Sequence, residues 1–375
     1  MSLVSRMVRF GSFAMAAALC GCPSEAVEPD PVPDPPSFDQ DLTDELQAVL
    51  EAGVADDIPA HGCTMALVRG DGAGWATAAG TDGPDGAPLE ADAELGLASI
   101  TKTYTAGLIL VLVDDGVLTL DDTLEQWMPG VHPRGAEITI EMLLVQTAGI
   151  PGALGTSEAQ ADPSRNWTED ELFALVADDP LVHEPGADWG YSNTHYMLLA
   201  RVAEAAGGAP WRQLMDERVL DPLALDATRI PALGEGWGGV TGYWGDDPYP
   251  DATRTQPESI GGAGNMISTA LDVARWGQAR FGGGLHSEAT TALQTSVTES
   301  LQPGIEYGLG LMLLDTAGGD DIGHNGALGG FATWVGHRPD ADLTLSLLCN
   351  AWGANPTNVA YPLGFAQDAL WEVME

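Results

Sequence analysis

The segment Ser99–Asp115, SITKTYTAGLILVLVDD, constrains the fold more than any other stretch of the chain. Its second half, Leu108 to Val113, is apolar on every side. A helix laid on a protein surface keeps a polar face, so one that is apolar all round belongs in the centre of a molecule. Gly116 follows as a helix stop. The pattern predicts a buried helix over 99–115. Ser99 and Lys102 stand at its start, and positions i and i+3 share a helix face, so a hydroxyl and an amine meet there.

Lys102 is the only lysine; the other 13 basic residues are arginine. Arginine cannot give up its proton inside a protein, whereas a desolvated lysine can. A site that needs a neutral amine as base therefore cannot use arginine. Serine needs such a base to attack at neutral pH, and a helix N-terminus favours the alkoxide as it forms. Chance alone would supply a Ser-x-x-Lys in a chain of this composition on the order of 0.04 times. The plain alternative, a serine cap followed by a surface lysine, conflicts with a buried helix.

Two weaker elements stand further along. Tyr191-Ser192-Asn193 follows the turn-rich loop EPGADWG (184–190). A tyrosine there could exchange a proton with the serine if a nearby ammonium lowered its pKa, and an asparagine amide could orient a carbonyl. His324-Asn325-Gly326 falls on what reads as the edge strand of a sheet, where Gly326 leaves room beside the backbone. Taken singly, both also fit an ordinary loop tyrosine and a glycine-rich strand.

Acidic residues number 55 against 14 basic ones, a net charge of −41. Binding to nucleic acid or to an anionic membrane surface is excluded, since both need Lys and Arg facing phosphate. A heavily hydrated acidic surface is the simple reading, and a cleft that attracts cations the sharper one. Gly190–Thr194 comes within one residue of a Gly-x-Ser-x-Gly elbow. There is no His-Glu-x-x-His and no zinc-type cysteine spacing, and a Walker loop would need the lysine already assigned. The pairs Asp121-Asp122 and Asp246-Asp247 read as solvated acids. No metal or cofactor is expected.

Arg6 and Arg9 precede a short apolar run, Phe10 to Leu19, too short to span a bilayer. It ends Leu19-Cys20-Gly21-Cys22, which resembles a bacterial lipobox with Cys22 as the lipidated residue; an ordinary cleaved signal peptide is the alternative. Residues 1–21 are thus expected to be a signal peptide and 22–38, rich in proline and acid, an extended tether. Helix is expected over 39–53, strands over 62–72 and 75–80, helical patches over about 120–260, strands again over 323–331, 332–338 and 342–350, and a last helix over 361–374. Both ends of the chain would then build one α/β lobe, with a helical lobe inserted.

The order and spacing of the three elements resemble the serine β-lactamase and penicillin-recognising superfamily, as do ASITKTYTAGLILVLVDDGVLTLDD (98–122), LLVQTAGIPG (143–152), PGADWGYSN (185–193) and GGAGNMISTALDVARW (261–276). The connecting stretches resemble its class C, DD-peptidase and esterase branch. The resemblance implies a two-lobe α/β (α+β) fold over 39–375: an antiparallel central sheet flanked by helices, plus an all-helical lobe at roughly 110–260. It implies Ser99 as the acylated nucleophile, Lys102 as base, Tyr191 as the coupled proton carrier and Asn193 on the acyl side. The N–H groups of Ser99 and Ala327 would form the oxyanion hole, and His324, Asn325 and Gly326 the facing substrate wall. The third element is usually Lys-Thr-Gly in β-lactamases. The histidine here removes a fixed cation and weakens recognition of a substrate carboxylate. An esterase or D-amino-acid peptidase or amidase is therefore expected, with a class C-like β-lactamase and a non-catalytic penicillin-binding lipoprotein as alternatives. The same fold places the strands of Cys63 and Cys349 side by side, which implies a disulfide; two separate buried thiols remain the alternative. The partners expected are a small ester or peptide-like substrate and, through Cys22 alone, an envelope membrane on the exported side. The chain is expected to act as a monomer.

Overall fold

The computed structural model describes residues 36–352, apart from 59, 162–164, 166, 233–234, 238, 245–246, 249–259, 298, 303 and 317–318. The signal segment, Cys22, most of the tether, Asp246 and the helix expected at 361–374 lie outside the described residues.

Helix α1 (Gln40–Ala52) opens with the Asp39 carboxylate accepting the Asp41 N–H at 2.9 Å, and it buries Leu46 and Leu50. Strands β1 (Gly62–Arg69) and β2 (Gly74–Gly80) follow, while the two-residue strands β3 (Leu95–Gly96), β4 (Tyr243–Trp244), β5 (Asp247–Pro248) and β6 (Ile267–Ser268) lie outside the main sheet. The other end of the chain supplies β7 (Glu299–Gln302), β8 (Ile305–Tyr307), β9 (Met312–Thr316), β10 (Gly319–Leu328), β11 (Phe331–Arg338) and β12 (Leu343–Cys349). All eight join one antiparallel sheet in the order β2-β1-β12-β11-β10-β9-β8-β7. The two-residue side-chain period sorts the core to two faces. Met65, Leu67, Leu345 and Leu347 pack with Leu46 and Leu50 of α1. Ala66, Val68 and Leu348 face the larger core of the remaining helices.

That larger core is organised around α2 (Thr101–Asp114), preceded by a 3-10 turn at Ala98–Ile100. Every residue from Thr101 to Leu110 is buried, and Gly116 ends the helix with φ +70°. Ser99 thus lies in the turn before the helix, not in its first α-helical turn. Short helices surround α2: α3 (Leu124–Trp127), α4 (Ile140–Leu144), α5 (Ser157–Ala161), α6 (Glu169–Val176), α7 (Asn193–Gly207) and α8 (Trp211–Met215). Helices α9 (Ala270–Phe281) and α10 (Glu288–Ser296) return the chain to the sheet. Trp276 of α9 stacks on Tyr104 of α2, centroids 4.1 Å apart, and donates its indole N–H to Thr103 Oγ1 at 2.7 Å. The centre of the protein is tied together at that contact.

Strand β10 corrects one expectation. It is an interior strand, fifth of the eight, and not the edge of the sheet. Strand β9 pairs with it only over Gly319–Gly323, however, so Gly326 to Leu328 have β11 on one side and, among the described residues, no strand on the other. The edge is local, and that is where the 98–100 turn packs.

Cys63 and Cys349 face each other across β1 and β12 and form a disulfide, α-carbons 4.1 Å apart. Close α-carbons mark the non-hydrogen-bonded type of antiparallel pair. The bridge spans 286 residues and joins the two chain ends that build the sheet. A loop of that length restricts the unfolded chain strongly. Replacing both cysteines by serine is expected to lower the unfolding free energy by about 2–4 kcal/mol in denaturant titration. Peptide mapping without reductant should recover the two cysteines in one cross-linked species; finding them as separate free thiols would remove the bridge.

Candidate active site

The site is assembled where the local edge of β10 meets the turn before α2. Ala98 has φ +49°, a left-handed conformation rare outside glycine, and it turns the chain sharply just ahead of Ser99. The turn is held by Thr333 Oγ1 donating to Leu97 O at 2.9 Å and by the Met266 N–H donating to Thr101 Oγ1 at 3.1 Å. Gly326 packs directly against it. A β-carbon there would lie 2.5 Å from Leu97 O and 3.0 Å from Ser99 N, so no side chain fits.

Strand β10 turns into β11 through Gly329 and Gly330, whose φ values of +64° and +79° make a two-residue hairpin. Leu328 and Phe331 close that hairpin. The alternation of an antiparallel ladder then aims the Ala327 N–H away from β11, to the open side beside Ser99. Ser99 N and Ala327 N are thus donors on one wall, as an oxyanion pocket requires. Asn325, two residues earlier, shares the open side in backbone direction and is partly exposed.

Lys102 is fully buried on the first turn of α2. Its Nζ lies 3.1 Å from Ser99 Oγ, 2.8 Å from Asn193 Oδ1 and 2.6 Å from Ala263 O. Burial holds the amine well below the usual lysine range. A neutral amine has two N–H groups and one lone pair. The Asn193 and Ala263 oxygens only accept, so they take both hydrogens, and the lone pair is left for the Ser99 hydroxyl. Tyr191 reaches the same oxygen from the other side, donating its O–H to Ser99 Oγ at 2.8 Å. Ser99 Oγ therefore sits between an amine and a phenol.

Tyr191 differs from the sequence expectation. Lys102 Nζ is 4.9 Å from its ring centroid, yet its pKa is raised. Enclosure of the hydroxyl pushes it up, and the bond to Ser99 only partly offsets this. The residue as a whole is 43% exposed. Tyr191 is a neutral phenol at rest, and the available base is the lysine.

His324 also departs from expectation. Its ring is 1% exposed, with Nδ1 2.5 Å from Asn325 O and Nε2 3.1 Å from Tyr307 OH. Burial first, and nearby Lys102 second, pull it down to about 3. It is a neutral ring built into the wall behind the cleft, with no face left open for a substrate.

The structure thus brings together Ser99, Lys102, Tyr191, Asn193, Gly326 and Ala327, and sets His324 behind them. Two contributors were passed over in the sequence. Ala263 O lies in the GGAGN stretch, where a backbone oxygen leaves no side-chain signal. Gln146 lies in LLVQTAGIPG, and its amide meets the backbone of the Tyr191 loop at Ser192.

Fold and centre together define a serine hydrolase. The β-lactamase family model matches residues 46–364, and the chain belongs to that family. It is similar to penicillin-binding protein 4* of Bacillus subtilis (strain 168), 28% identical over 284 residues, 70% of this chain and 62% of that protein. The match thus spans less than two thirds of the Bacillus protein. It is similar to the D-alanyl-D-alanine-carboxypeptidase/endopeptidase AmpH of Escherichia coli (strain K12), 24% identical over 353 residues, 88% of this chain and 89% of that one. Among solved structures it resembles a D-stereospecific amidohydrolase from a Streptomyces species, with TM-score 0.75, 28% identity, and coverage of 87% of this chain and 98% of that chain.

A base that must be neutral fixes two outcomes. Lys102→Arg should lose about 10²–10⁴-fold in kcat/KM, as much as Lys102→Ala, because arginine keeps its proton. Activity should fall as pH drops through the lowered Lys102 pKa, since the protonated amine has no lone pair to offer. Steady-state rates against pH check both. Near-normal turnover by Lys102→Arg would reduce the amine to an electrostatic prop.

Proposed function

We propose that this chain hydrolyses esters or small amides of the D-amino-acid kind through an acyl-enzyme on Ser99. The observation that carries the reading is the buried Lys102 amine, its Nζ 3.1 Å from Ser99 Oγ and otherwise bonded to an amide oxygen and a backbone oxygen. Ser99 Oγ attacks the substrate carbonyl carbon as its proton passes to Lys102 Nζ. The carbonyl oxygen becomes an oxyanion between the Ser99 and Ala327 N–H groups. Collapse breaks the bond to the leaving group, which takes a proton from Tyr191; the Lys102 ammonium restores it. Water then attacks the acyl carbon, giving up a proton by the same route in reverse, and frees Ser99. Asn193, tied to Lys102, stands where it would orient the acyl side.

The neutral, enclosed His324 supports esters and amides over β-lactams. The wall built from the third motif offers no fixed cation to a substrate carboxylate. The amidohydrolase and carboxypeptidase likenesses agree with this substrate class. For location, the reading is an exported, envelope-facing enzyme tethered by lipid on Cys22. Among the described residues no helix is long and apolar enough to cross a membrane. A monomer suffices for the chemistry, because every group invoked comes from one chain.

A substrate panel decides the reading. p-Nitrophenyl esters and D-amino-acid amides should be turned over well above nitrocefin, and Ser99→Ala should abolish all of it. A fluorophosphonate probe should add to Ser99 in peptide mass spectrometry. Fast nitrocefin hydrolysis with inert esters and amides would make the chain a β-lactamase. A labelled Ser99 with no turnover of any class would make it a binding protein.

A further inference from the structure

Gln146 occupies a position that a helix usually gives to glycine. Helix α4 ends at Leu144 with Val145 as its cap, and Gln146 follows with φ +67°. The Gln146 N–H donates to Leu143 O at 3.4 Å and the Thr147 N–H to Met142 O at 2.8 Å. This pair of bonds is the helix-ending motif whose left-handed residue is normally glycine, because a β-carbon there crowds the backbone. The residue is fully buried. A side chain kept in a strained, enclosed place is kept for its contacts.

Both oxygens of Gln146 reach the loop that carries Tyr191, and its side chain also meets Tyr307. The Gly190 N–H donates to the Gln146 backbone oxygen at 2.9 Å, and the Ser192 N–H donates to Gln146 Oε1 at 2.9 Å. Tyr191 lies between these two anchors, so one residue grips the chain immediately before and after the phenol. His195, buried on the first turn of α7, places Nδ1 2.6 Å from the same Oε1. Burial holds its ring neutral, with a pKa of about 3. Neutral imidazole with its proton on Nδ1 donates to the amide oxygen and so keeps that oxygen turned toward the loop. The grip continues outward, where the Gly186 N–H donates to Thr147 O at 2.8 Å and the Val182 N–H to Gly149 O at 2.9 Å.

We propose that Gln146 is the positioning residue for Tyr191, holding the phenol on Ser99 Oγ from a second layer that touches no substrate. The exposure of Tyr191 makes the clamp necessary. With the residue 43% exposed, packing alone does not fix the hydroxyl 2.8 Å from its partner. A displacement of about 1 Å in such a group costs about 10²-fold in rate.

The proposal rests on the reading of Tyr191 as proton carrier, and the test separates the two. The second-order rate of fluorophosphonate addition to Ser99 and kcat with a p-nitrophenyl ester are measured for the wild type, Tyr191→Phe, Gln146→Met, Gln146→Gly and the Gln146→Met/Tyr191→Phe double variant. Gln146→Met keeps the volume and removes the acceptor; Gln146→Gly removes the acceptor and relieves the left-handed strain. Both single variants should lose about 10²-fold in kcat with little change in KM. In the Tyr191→Phe background the Gln146→Met change should cost almost nothing more, since a residue that acts through the phenol has nothing left to position. Wild-type rates in Gln146→Gly would reduce Gln146 to a helix-ending residue and overturn the proposal, as would additive losses in the double variant. Wild-type rates in Tyr191→Phe would reject Tyr191 itself. Hydrogen exchange on the unaltered protein gives a test that needs no variant to fold: the Gly190 and Ser192 amides should be protected although they flank an exposed residue, and rapid exchange there would refute the clamp.

Discussion

The burial of one amine governs the rest of the architecture. Lys102 is enclosed by α2, the N-terminus of α7 and the 261–263 turn, and among the described residues it meets no carboxylate; its partners are a hydroxyl, an amide oxygen and a backbone oxygen. A carboxylate beside it would hold it charged, whereas water excluded without one drives it neutral. In a chain with 55 acidic residues that exclusion is a structural achievement. Several arginines take the opposite course. Arg134 bonds Glu137 and Glu184, Arg229 bonds Glu94 and Glu235, and buried Arg338 bonds Asp321. These charged side chains meet acids, whereas buried Arg280 donates to Leu309 O instead.

Keeping that amine dry requires cover on every side of α2, which accounts for the division of labour between sheet and helices. Trp276 and Tyr104 seal one side by stacking. Gly262 lies where a β-carbon would meet Ala200 Cβ at 2.7 Å and Tyr196 O at 3.0 Å, so the turn that carries Ala263 O presses closely on α7. The sheet supplies the remaining wall through Gly326. Lys102, Tyr191 and the Ala327 N–H thus come from separate elements that share one buried helix as reference.

How much of this was legible depended on whether a side chain or a backbone carried the information. The lone lysine, the apolar run behind it and the alternating strands near both chain ends are statements about side chains, and the sequence shows them directly. The left-handed Ala98 and Gln146, the carbonyl of Ala263 and the aim of the Ala327 N–H are backbone properties with no composition signal. Burial is the intermediate case. His324 could be read from its place in the third motif, but only the packing of Tyr307 and the closeness of Lys102 show that the ring is neutral and enclosed. The interior place of β10 was hidden because β7, β8 and β9 are short, and their pattern carries little periodicity.

The strand order has a consequence in time as well as in space. The nucleophile lies in the first third of the chain, while the strand bearing Ala327 comes near its end, and β1 waits for β12 before the sheet can close. A ribosome that has released the lysine helix has not yet made its anion pocket. Assembly from such distant segments is slow compared with local folding, and it is also all-or-none for activity. The growing chain lacks its complete site until its last strands are in place.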